Sequence, residues 1–376
     1  MKKKDKKIKI AILIRNFDYS GGGAEKYCVE LSKLLSNHYD VHIFTQKIVG
    51  EYTNLSFHLI PTILKKPRFI NQLLFSFFTK RALKNEFAIV HSHDMLTHAN
   101  IYTIHVPCFK TQLTKKTAFG KLYFLLKLLF SPRFMSYLWL EKEQMKFVHK
   151  KKIISVSNLL TNNIILNYPK IKNIITLASP GINQQYVNFQ KIKKSKILDH
   201  LEIPKNSFVY LFAAHGFERK GLPNILEAMN ELKSKNIHLV VAGRGDSSPY
   251  KDKIINVHFL GEVKNMMELY SCVDAMIHPT LGDTFGMTVL EAMACKLPVI
   301  VSSSKYCGIS GRLKHNQAII LKNPNDTNEI ALRMKQLYED KSLYSAISSS
   351  GQKAAKNFTW KTTLEETVKA YKTILE

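Results

Sequence analysis

The chain has 376 residues, of which 45% are hydrophobic, so a largely disordered chain is excluded and two packed domains are expected. The net charge is +26, from 55 lysines and arginines against 29 aspartates and glutamates. This excess favours anionic partners such as nucleic acid, acidic lipid or a phosphorylated glycolipid, although a solvated lysine-rich surface also explains it.

The cysteines do not form a recognisable framework. There are five of them, an odd number, and they are scattered without metal-ligand spacing. This pattern predicts a reduced, cytoplasmic protein without disulfides and without a zinc site. The five positions are Cys28, Cys108, Cys272, Cys295 and Cys307.

Along the first half of the chain, short β-branched runs alternate with helical patterns. The first run, 8–15, follows a lysine-rich leader and is predicted to be a buried strand rather than part of a signal peptide. Gly21-Gly22-Gly23 ends this run, and apolar residues then recur at helical spacing to Leu35. No run approaches the ~20 apolar residues of a membrane span. Further strands are predicted at 41–45, 87–93, 101–106 and 153–156.

The pattern restarts after turn residues at Ser179-Pro180-Gly181 and a lysine-rich stretch, 188–195. Apolar strands alternating with helices predict two α/β domains with parallel sheets. We place the N-terminal domain at 1–180, the C-terminal domain at 181–357, and a helix at 358–376 that crosses back to the first domain. Ligands of such sheets bind at the carboxyl ends of the strands, so we expect a central cleft between the two domains. The predicted elements of the second half are strands at 208–214, 238–242, 257–260, 275–278 and 298–301, and helices at 222–232 and 360–375, the latter with Leu364, Val368, Tyr371 and Leu375 on one face.

The segment 282–294 carries the strongest chemical signal. Gly286 stands at the start of a helix, where unpaired N–H groups and the helix dipole favour a phosphate or diphosphate. Asp283, just before the helix, suits the hydroxyl groups of a sugar, and Glu291, two turns into it, suits the vicinal hydroxyls of a ribose. The alternative is that Asp283 caps the helix and Glu291 is a surface residue.

This segment resembles the signature of glycosyltransferase family 4. Asp283 takes the place of the Glu found in most members, and Phe285-Gly286, Glu291 and the following Ala-Met-Ala match the pattern. Lys296 departs from it, and Cys307-Gly308 resembles the family's Cys-Gly turn. The resemblance implies a GT-B fold, in which two Rossmann-like domains face a cleft, and transfer from a nucleotide sugar with retention of configuration.

A second match begins the C-terminal domain. Lys220-Gly221 resembles the family's Lys-Gly, whose lysine neutralises the donor diphosphate. His215 replaces the family's usual Arg, and Arg219 adjoins the lysine, as in the subgroup containing lipopolysaccharide-core glucosyltransferases. Two cations at a departing diphosphate are chemically reasonable because negative charge develops there. The alternative is that they are the basic start of an exposed helix.

Weaker matches continue the resemblance over roughly 8–325. Gly22 and Gly23 match the family's glycine loop near the donor phosphate, and Gly243 lies in a turn near the donor base. His105 matches a histidine near the reacting centre. Buried core histidines are the common alternative. A metal site at His91, His93 and Asp94 is another, since residues at i and i+2 of a strand share a face.

The segment 110–139 combines lysines with an apolar run, 122–130, followed by Arg133 and Trp139. Basic residues beside aromatic and aliphatic ones favour contact with an anionic bilayer. The alternative is a buried helix whose lysines reach solvent at their tips.

Together these features predict transfer of a hexose, with glucose as the expected sugar, from a UDP-sugar to a lipid-linked glycan such as lipopolysaccharide core, at the inner face of the cytoplasmic membrane. No cofactor and no metal are expected. The alternatives are another donor (GDP-mannose or a UDP-N-acetylhexosamine) serving capsule, O-antigen or glycoprotein glycans, a sugar-nucleotide epimerase, a non-catalytic sugar-nucleotide binder, and a nucleic-acid binder. The predicted catalytic residues are His105, Lys220 and Asp283, and the predicted donor-binding residues are Gly22, Gly23, Arg219, Lys220, Gly243, Asp283, Phe285, Gly286, Met287 and Glu291.

Overall fold

The computed structural model describes residues 7–84, 86–111, 131–189, 196–250 and 256–376. Its contacts divide the chain into two compact units. The first comprises Met1–Pro180 with Trp360–Glu376, and the second comprises Gly181–Thr359. Among the described residues, no helix is both long and apolar enough to cross a bilayer.

The first unit is built on a parallel sheet. Its described residues form seven strands in the order β5-β3-β1-β6-β7-β8-β9, and β2 pairs with β4 in a separate parallel ribbon. The strands are β1 Lys9–Leu13, β2 Asn16–Asp18, β3 Asp40–Thr45, β4 Lys47–Val49, β5 Ser56–Leu59, β6 Ile89–Ser92, β7 Ile101–Ile104, β8 Lys152–Ser155 and β9 Ile175–Leu177.

The helices of this unit lie between its strands in the chain, except for the last one, which ends the chain. They are α1 Gly23–Leu35, α2 Arg68–Ala82, α3 Pro132–Gln144, α4 Asn158–Asn167, a 3-10 helix Pro169–Ile174, and the C-terminal helix Trp360–Leu375. The central strand β1 has Ile10, Ala11, Ile12 and Leu13 all at 0% exposure. Both of its faces are covered, as the continuous apolar run predicts for a parallel strand.

The second unit repeats this design. Its described residues form six parallel strands in the order β12-β11-β10-β13-β14-β15. The strands are β10 Phe208–Ala213, β11 Ile237–Ala242, β12 Val257–Gly261, β13 Ala275–His278, β14 Val299–Ser302 and β15 Ile319–Leu321. The helices are α5 Gln184–Val187, α6 Lys196–His200, α7 Leu222–Leu232, α8 Met266–Cys272, α9 Met287–Ala294, a 3-10 helix Ile309–Arg312, α10 Thr327–Glu339 and α11 Lys341–Ala355.

The predicted strands are all present, with ends shifted by up to two residues. The strands that sequence patterns missed include β5, β9 and β15, which are three or four residues long and form sheet edges. A strand this short contains too few residues for an apolar period to be recognised.

The C-terminal helix packs in the first unit through a face that differs from the predicted one. Thr363, Thr367 and Tyr371 are fully buried, whereas Leu375 is 38% exposed. The two threonines tolerate burial because their hydroxyls donate to backbone carbonyls, that of Thr363 to Ser179 at 2.6 Å and that of Thr367 to Thr363 at 2.8 Å.

His91, in β6, joins this helix to the sheet. Its Nε2 lies 2.7 Å from the Oγ1 atom of Thr103, and its Nδ1 lies 2.8 Å from the hydroxyl of Tyr371. Burial, with a smaller contribution from the charge of His105, lowers the pKa of His91 to about 3. The imidazole is therefore neutral at physiological pH, and one of its nitrogens donates while the other accepts.

Acidification is expected to destabilise the first unit through His91. As the pH falls from 6.5 towards about 3, the unfolded chain binds a proton here that the folded chain does not, so the free energy of unfolding decreases. At pH 5 the loss is about 2 kcal/mol relative to neutral pH, from ~1.4 kcal/mol per pH unit. A His91→Gln variant, which does not titrate, should show a shallower dependence in urea unfolding at pH 7 and pH 5. The exposed His149 provides the control variant, His149→Gln, and equal slopes for wild type and His91→Gln would contradict the expectation.

Candidate active site

A buried ion pair lies at the carboxyl edge of the second sheet. Lys220 follows β10 and Asp283 follows β13, and these two strands are neighbours in parallel register. The ammonium of Lys220 contacts Oδ2 of Asp283, and Lys220 is only 8% exposed. The sheet thus brings together two predicted site residues that are far apart in sequence. The alternative that Lys220 belongs to the exposed start of a helix is wrong, because the residue is buried and α7 begins only at Leu222.

His278, the last residue of β13, supports the carboxylate of this pair. Its Nε2 lies 3.1 Å from the same Oδ2 of Asp283. Burial lowers the pKa of His278 despite the opposing effect of the carboxylate, so the imidazole is neutral and Nε2 donates. Burial alone would raise the pKa of Asp283, but the bond from His278 and the charge of Lys220 together hold it well below its usual range. Asp283 is therefore a permanent anion.

A neighbouring loop determines the path of the backbone around Asp283. The N–H of Asp283 donates to the carbonyl of Tyr306 at 2.8 Å, and the N–H of Gly308 donates to the carbonyl of Asp283 at 3.0 Å. The N–H of Ile309 donates to the carbonyl of Phe285 at 2.7 Å. The Cys-Gly turn noticed in the sequence is therefore the partner segment of the Asp283 loop.

Gly286 begins α9 in a conformation that requires glycine. Its φ is +99°, and an added Cβ would lie 2.9 Å from Sγ of Cys307. The first intrahelical bond runs from Leu290 N to the carbonyl of Gly286, and no side chain of the described residues caps this end. The N–H groups of Met287 and Thr288 therefore remain available to an anion, and the helix dipole favours one.

Arg219 lies beside this loop but is exposed. Its guanidinium donates to the carbonyl of Gly282, and its own carbonyl accepts from Leu281 N at 3.0 Å. The backbone of the Arg219 turn is thus attached to the Asp283 loop, and an exposed cationic side chain lies near the buried one of Lys220.

Glu291 is buried, at 5% exposure, so the alternative that it is a surface residue is wrong. The hydroxyl of Tyr270 donates to its Oε2 at 3.0 Å. Burial, and then the charge of Glu291, raises the pKa of Tyr270. A buried carboxylate held by a neutral donor, little more than one turn beyond an open helix start, is an arrangement suited to accept bonds from hydroxyl groups.

The turn of Gly243 is tied to the loop that carries His215. The N–H of Arg244 donates to Nδ1 of His215 at 3.0 Å, and Gly216 N donates to the carbonyl of Arg244 at 2.8 Å. At Gly243 φ is +121°, and an added Cβ would lie 1.9 Å from the carbonyl oxygen of Ala214. The fold itself requires glycine here, whether or not a ligand approaches it.

Sequence reasoning missed His278 and Tyr270. The only available signal for His278 was a polar residue at the end of an otherwise apolar strand, immediately before the loop with Asp283. Tyr270 lies on a different helix, 21 residues before Glu291, and no pattern connects the two.

In the first unit, the predicted histidines separate into two groups. His93 and His105 lie with Nδ1 and Nε2 3.0 Å apart, whereas His98 contacts Thr79 instead. Burial lowers the pKa of His105 to about 3, and that of His93 well below its usual value, so both are neutral. His91 and His93 do share a face, with ring centroids 4.5 Å apart.

The metal alternative at these histidines loses two of its three ligands to other partners. His91 uses both nitrogens on Thr103 and Tyr371, and Asp94 holds Arg15. Within the described parts of the chain, no group of three or more potential ligands is found.

The glycine loop of the first unit leads directly into α1. Gly22 precedes the helix in an extended conformation, and an added Cβ would lie 3.0 Å from Oε2 of Glu25. Gly23 is the first residue of α1. Their predicted approach to the donor stays a prediction.

Comparison with known proteins agrees with the fold. A family described as "Glycosyltransferase Family 4" matches residues 21–186, and one described as "Glycosyl transferases group 1" matches residues 193–354. An uncharacterized glycosyltransferase of Methanocaldococcus jannaschii is 28% identical over 240 residues, which are 60% of this chain and 60% of that protein. The chain thus aligns with less than two thirds of the length of this relative.

Solved structures share the fold across nearly the whole chain. WaaG, a glycosyltransferase involved in lipopolysaccharide biosynthesis, superposes with a TM-score of 0.81 at 16% identity, covering 96% of this chain and 98% of that one. Alr3699/HepE of Anabaena, solved in complex with UDP-glucose, gives a TM-score of 0.69 at 15% identity, with 96% and 98% covered. With two family matches that together take in most of its length and this shared architecture, the chain belongs to glycosyltransferase family 4 and has the GT-B fold.

Proposed function

We propose that the protein transfers a hexose from a UDP-sugar to a lipid-linked glycan such as a lipopolysaccharide core, with retention of the anomeric configuration. The hexose that we propose is glucose. The observation that carries this proposal is the buried Lys220–Asp283 pair beside the open start of α9. UDP-glucose bound to HepE, and the role of WaaG in lipopolysaccharide biosynthesis, support the choice of donor and acceptor.

The chemistry follows from where negative charge develops. The bond between the hexose C1 and the diphosphate oxygen breaks, and the acceptor oxygen forms a new bond to C1 on the same face. The acceptor proton passes to the departing diphosphate. Lys220, Arg219 and the N–H group of Met287 stabilise the charge on that diphosphate. These cations and dipoles supply the stabilisation that a metal ion provides in other transferases, and we propose that no metal is needed.

The remaining predicted residues bind the donor. Glu291 accepts bonds from the ribose hydroxyls, and Asp283, a permanent anion, accepts from hydroxyls of the hexose. His105 contacts the reacting sugar as a neutral hydrogen-bond partner, because burial keeps its pKa near 3. The N-terminal unit then takes the acceptor and the C-terminal unit the nucleotide sugar.

UDP is expected to raise the melting temperature of the protein in the presence of EDTA, and Glu291→Gln is expected to weaken this effect. Loss of a charged hydrogen-bond acceptor costs about 1.5–3 kcal/mol, which corresponds to UDP binding weakened about 10- to 100-fold. Glutamine preserves the shape of the buried side chain, so the variant should fold.

The matched control for this experiment is Glu339→Gln, at an exposed glutamate of α10. It should respond to UDP as the wild type does. A shift with GDP or ADP in place of UDP would change the donor, and an unchanged UDP shift in Glu291→Gln would contradict the assigned ribose contact. A thermal shift measured with random DNA in place of UDP shows whether the protein instead binds nucleic acid through its net positive charge.

Asp283→Asn is expected to separate binding of the diphosphate from catalysis. In the ligand-free protein Asp283 neutralises Lys220, so a bound diphosphate competes with the carboxylate for that cation. Removal of the negative charge should therefore leave UDP affinity equal or raise it by a few-fold. Turnover should fall about 10²- to 10³-fold because the hexose loses its partner.

Isothermal titration with UDP and a coupled assay of UDP release measure the two effects. Asp274→Asn serves as a second carboxylate-to-amide change in the same unit, outside the described site. A weaker UDP affinity in Asp283→Asn, parallel to the loss of turnover, would refute the competition between diphosphate and Asp283.

We also propose that the first unit contacts an anionic membrane. Of the segment predicted to contact the membrane, 110–139, residues 112–130 lie outside the described part of the chain. The described remainder contains α3, on which Met135 and Trp139 are 54% and 51% exposed and share a face with the exposed Lys142. Phe147 and Val148 follow, 62% and 52% exposed, beside further lysines. Exposed aromatic and aliphatic side chains among cations suit the interface of an acidic bilayer.

Binding to vesicles tests the membrane contact. Cosedimentation with phosphatidylglycerol vesicles should exceed that with phosphatidylcholine vesicles and should decrease with salt. A Met135→Ser/Trp139→Ser variant should bind at least about fivefold more weakly, since a fully buried apolar side chain contributes roughly 1.5–3 kcal/mol. Leu332→Ser removes a similarly exposed apolar side chain from the second unit and should have no effect. If the Met135→Ser/Trp139→Ser and Leu332→Ser variants bound the vesicles equally well, α3 would not contribute to membrane binding.

A further inference from the structure

The first unit contains a cavity that the donor-site residues of the second unit do not explain. Its volume is about 250 Å³, and it opens among residues that follow three neighbouring strands, β1, β6 and β7. The wall of the cavity includes Arg15, Asp94 and His105, each of which follows one of these strands. Its other acidic residues are Glu25 of α1 and Glu141 of α3. This is the edge of a parallel sheet at which α/β proteins bind ligands.

The volume limits the size of an occupant. Pockets for drug-sized ligands span about 300–1,000 Å³, so this cavity accommodates roughly one ring. Part of its wall is aromatic, where the rings of Phe109 and Tyr137 lie 5.6 Å apart. The lining thus combines aromatic side chains with carboxylates and amides. This combination suits a pyranose, whose ring carbons are apolar on one face and whose hydroxyls both donate and accept.

The charge of the cavity is opposite to that of the protein. Its described lining has one cation, Arg15, and three carboxylates, those of Glu25, Asp94 and Glu141. Arg15 is already neutralised by Asp94, because its Nη2 lies 2.9 Å and its Nε 3.0 Å from Oδ1 of Asp94. Two carboxylates without a cationic partner in the lining therefore remain, in a chain whose net charge is +26.

Neither the histidines nor the backbone around the cavity reverses the negative charge of its lining. His93 and His105 are neutral because burial lowers their pKa. Glu141 accepts from the backbone N–H of Lys110 at 3.0 Å and from the hydroxyl of Tyr168 at 2.8 Å, which are neutral donors. The pKa of Glu25 is raised, first by burial and then by the charge of Asp94, so the carboxylates of this cavity already repel one another.

We propose that this cavity is an acceptor subsite that takes one uncharged pyranose ring and discriminates against sugars that carry a phosphate or a carboxylate. The proposal rests on the proposed function, because it assigns the cavity to the acceptor of the transfer. Coulombic repulsion from the buried Glu141 and the partly buried Glu25 excludes an anionic ring, whereas the hydroxyls of a neutral ring find acceptors there. The basic exterior then attracts the anionic surface in which the acceptor is anchored, and the cavity selects a neutral sugar from it.

Saturation-transfer NMR with small glycosides tests the proposal without any donor. The probes are the methyl pyranosides of glucose, galactose and mannose and the methyl glycosides of glucuronic and galacturonic acid. At neutral pH and low salt, at least one neutral glycoside should bind about tenfold more tightly than its uronic acid counterpart, a difference of ~1.4 kcal/mol. Binding of a uronic acid with equal or higher affinity would overturn the proposal, and so would the absence of binding by every neutral probe.

Variants locate the effect in the cavity. Glu25→Gln should reduce the preference for the neutral ring at least threefold, whereas Glu30→Gln, on the same helix and outside the lining, should leave it unchanged. Ala24→Phe should fill the cavity and abolish binding of the neutral glycosides. Unchanged glycoside binding in Ala24→Phe would overturn the proposal.

The UDP-induced thermal shift, measured on each of these variants, separates the two proposals. An intact shift shows that the variant is folded and that the donor site is preserved, so that a change in glycoside binding belongs to the cavity. If UDP does not shift the melting temperature of the wild type, the proposed donor is refuted. The comparison of neutral and anionic glycosides still tests the proposal for the cavity.

Discussion

The buried ion pair of Lys220 and Asp283 is the interaction on which the second unit's site depends. Burial of two opposite charges costs several kcal/mol for each ion, and this is offset only when the geometry is good and the remaining lone pairs are satisfied. Here His278 supplies a second bond to the carboxylate, and the segment 306–309 holds the backbone on both sides of Asp283. These contacts hold the Asp283 loop in place without any ligand.

The same contacts orient the open end of α9. Gly286 follows Asp283 by three residues, so the loop that holds the carboxylate also sets the direction of the helix N-terminus. Free N–H groups and a buried ammonium are then presented from one short segment and one turn. An anion that binds there does not have to order the loop, which lowers the entropic cost of binding.

Charge is distributed unevenly over this molecule. The excess of lysine and arginine gives the chain its +26, yet the charged residues in the described lining of the first unit's cavity are three carboxylates and one arginine. The buried histidines add no positive charge because desolvation keeps them neutral. The net charge therefore favours anionic partners for the protein as a whole, whereas burial sets the charge of the groups that line each pocket.

The fold class, the longer strands and the segment 282–291 could be predicted from the sequence alone, because parallel strands covered on both faces need continuous apolar runs and a glycine at a helix start is a recognisable signal. Edge strands such as β15 left no trace, since three residues carry no period. Three features could be seen only in the folded protein. Strand β10 lies beside β13, so that Lys220 contacts Asp283, and the hydroxyl of Tyr270 donates to Glu291. On the C-terminal helix, Thr363 and Thr367 are buried. These outcomes depend on contacts between residues distant in the chain, and hydrogen bonds that allow a polar side chain to be buried are set by its neighbours in space rather than by its neighbours in sequence.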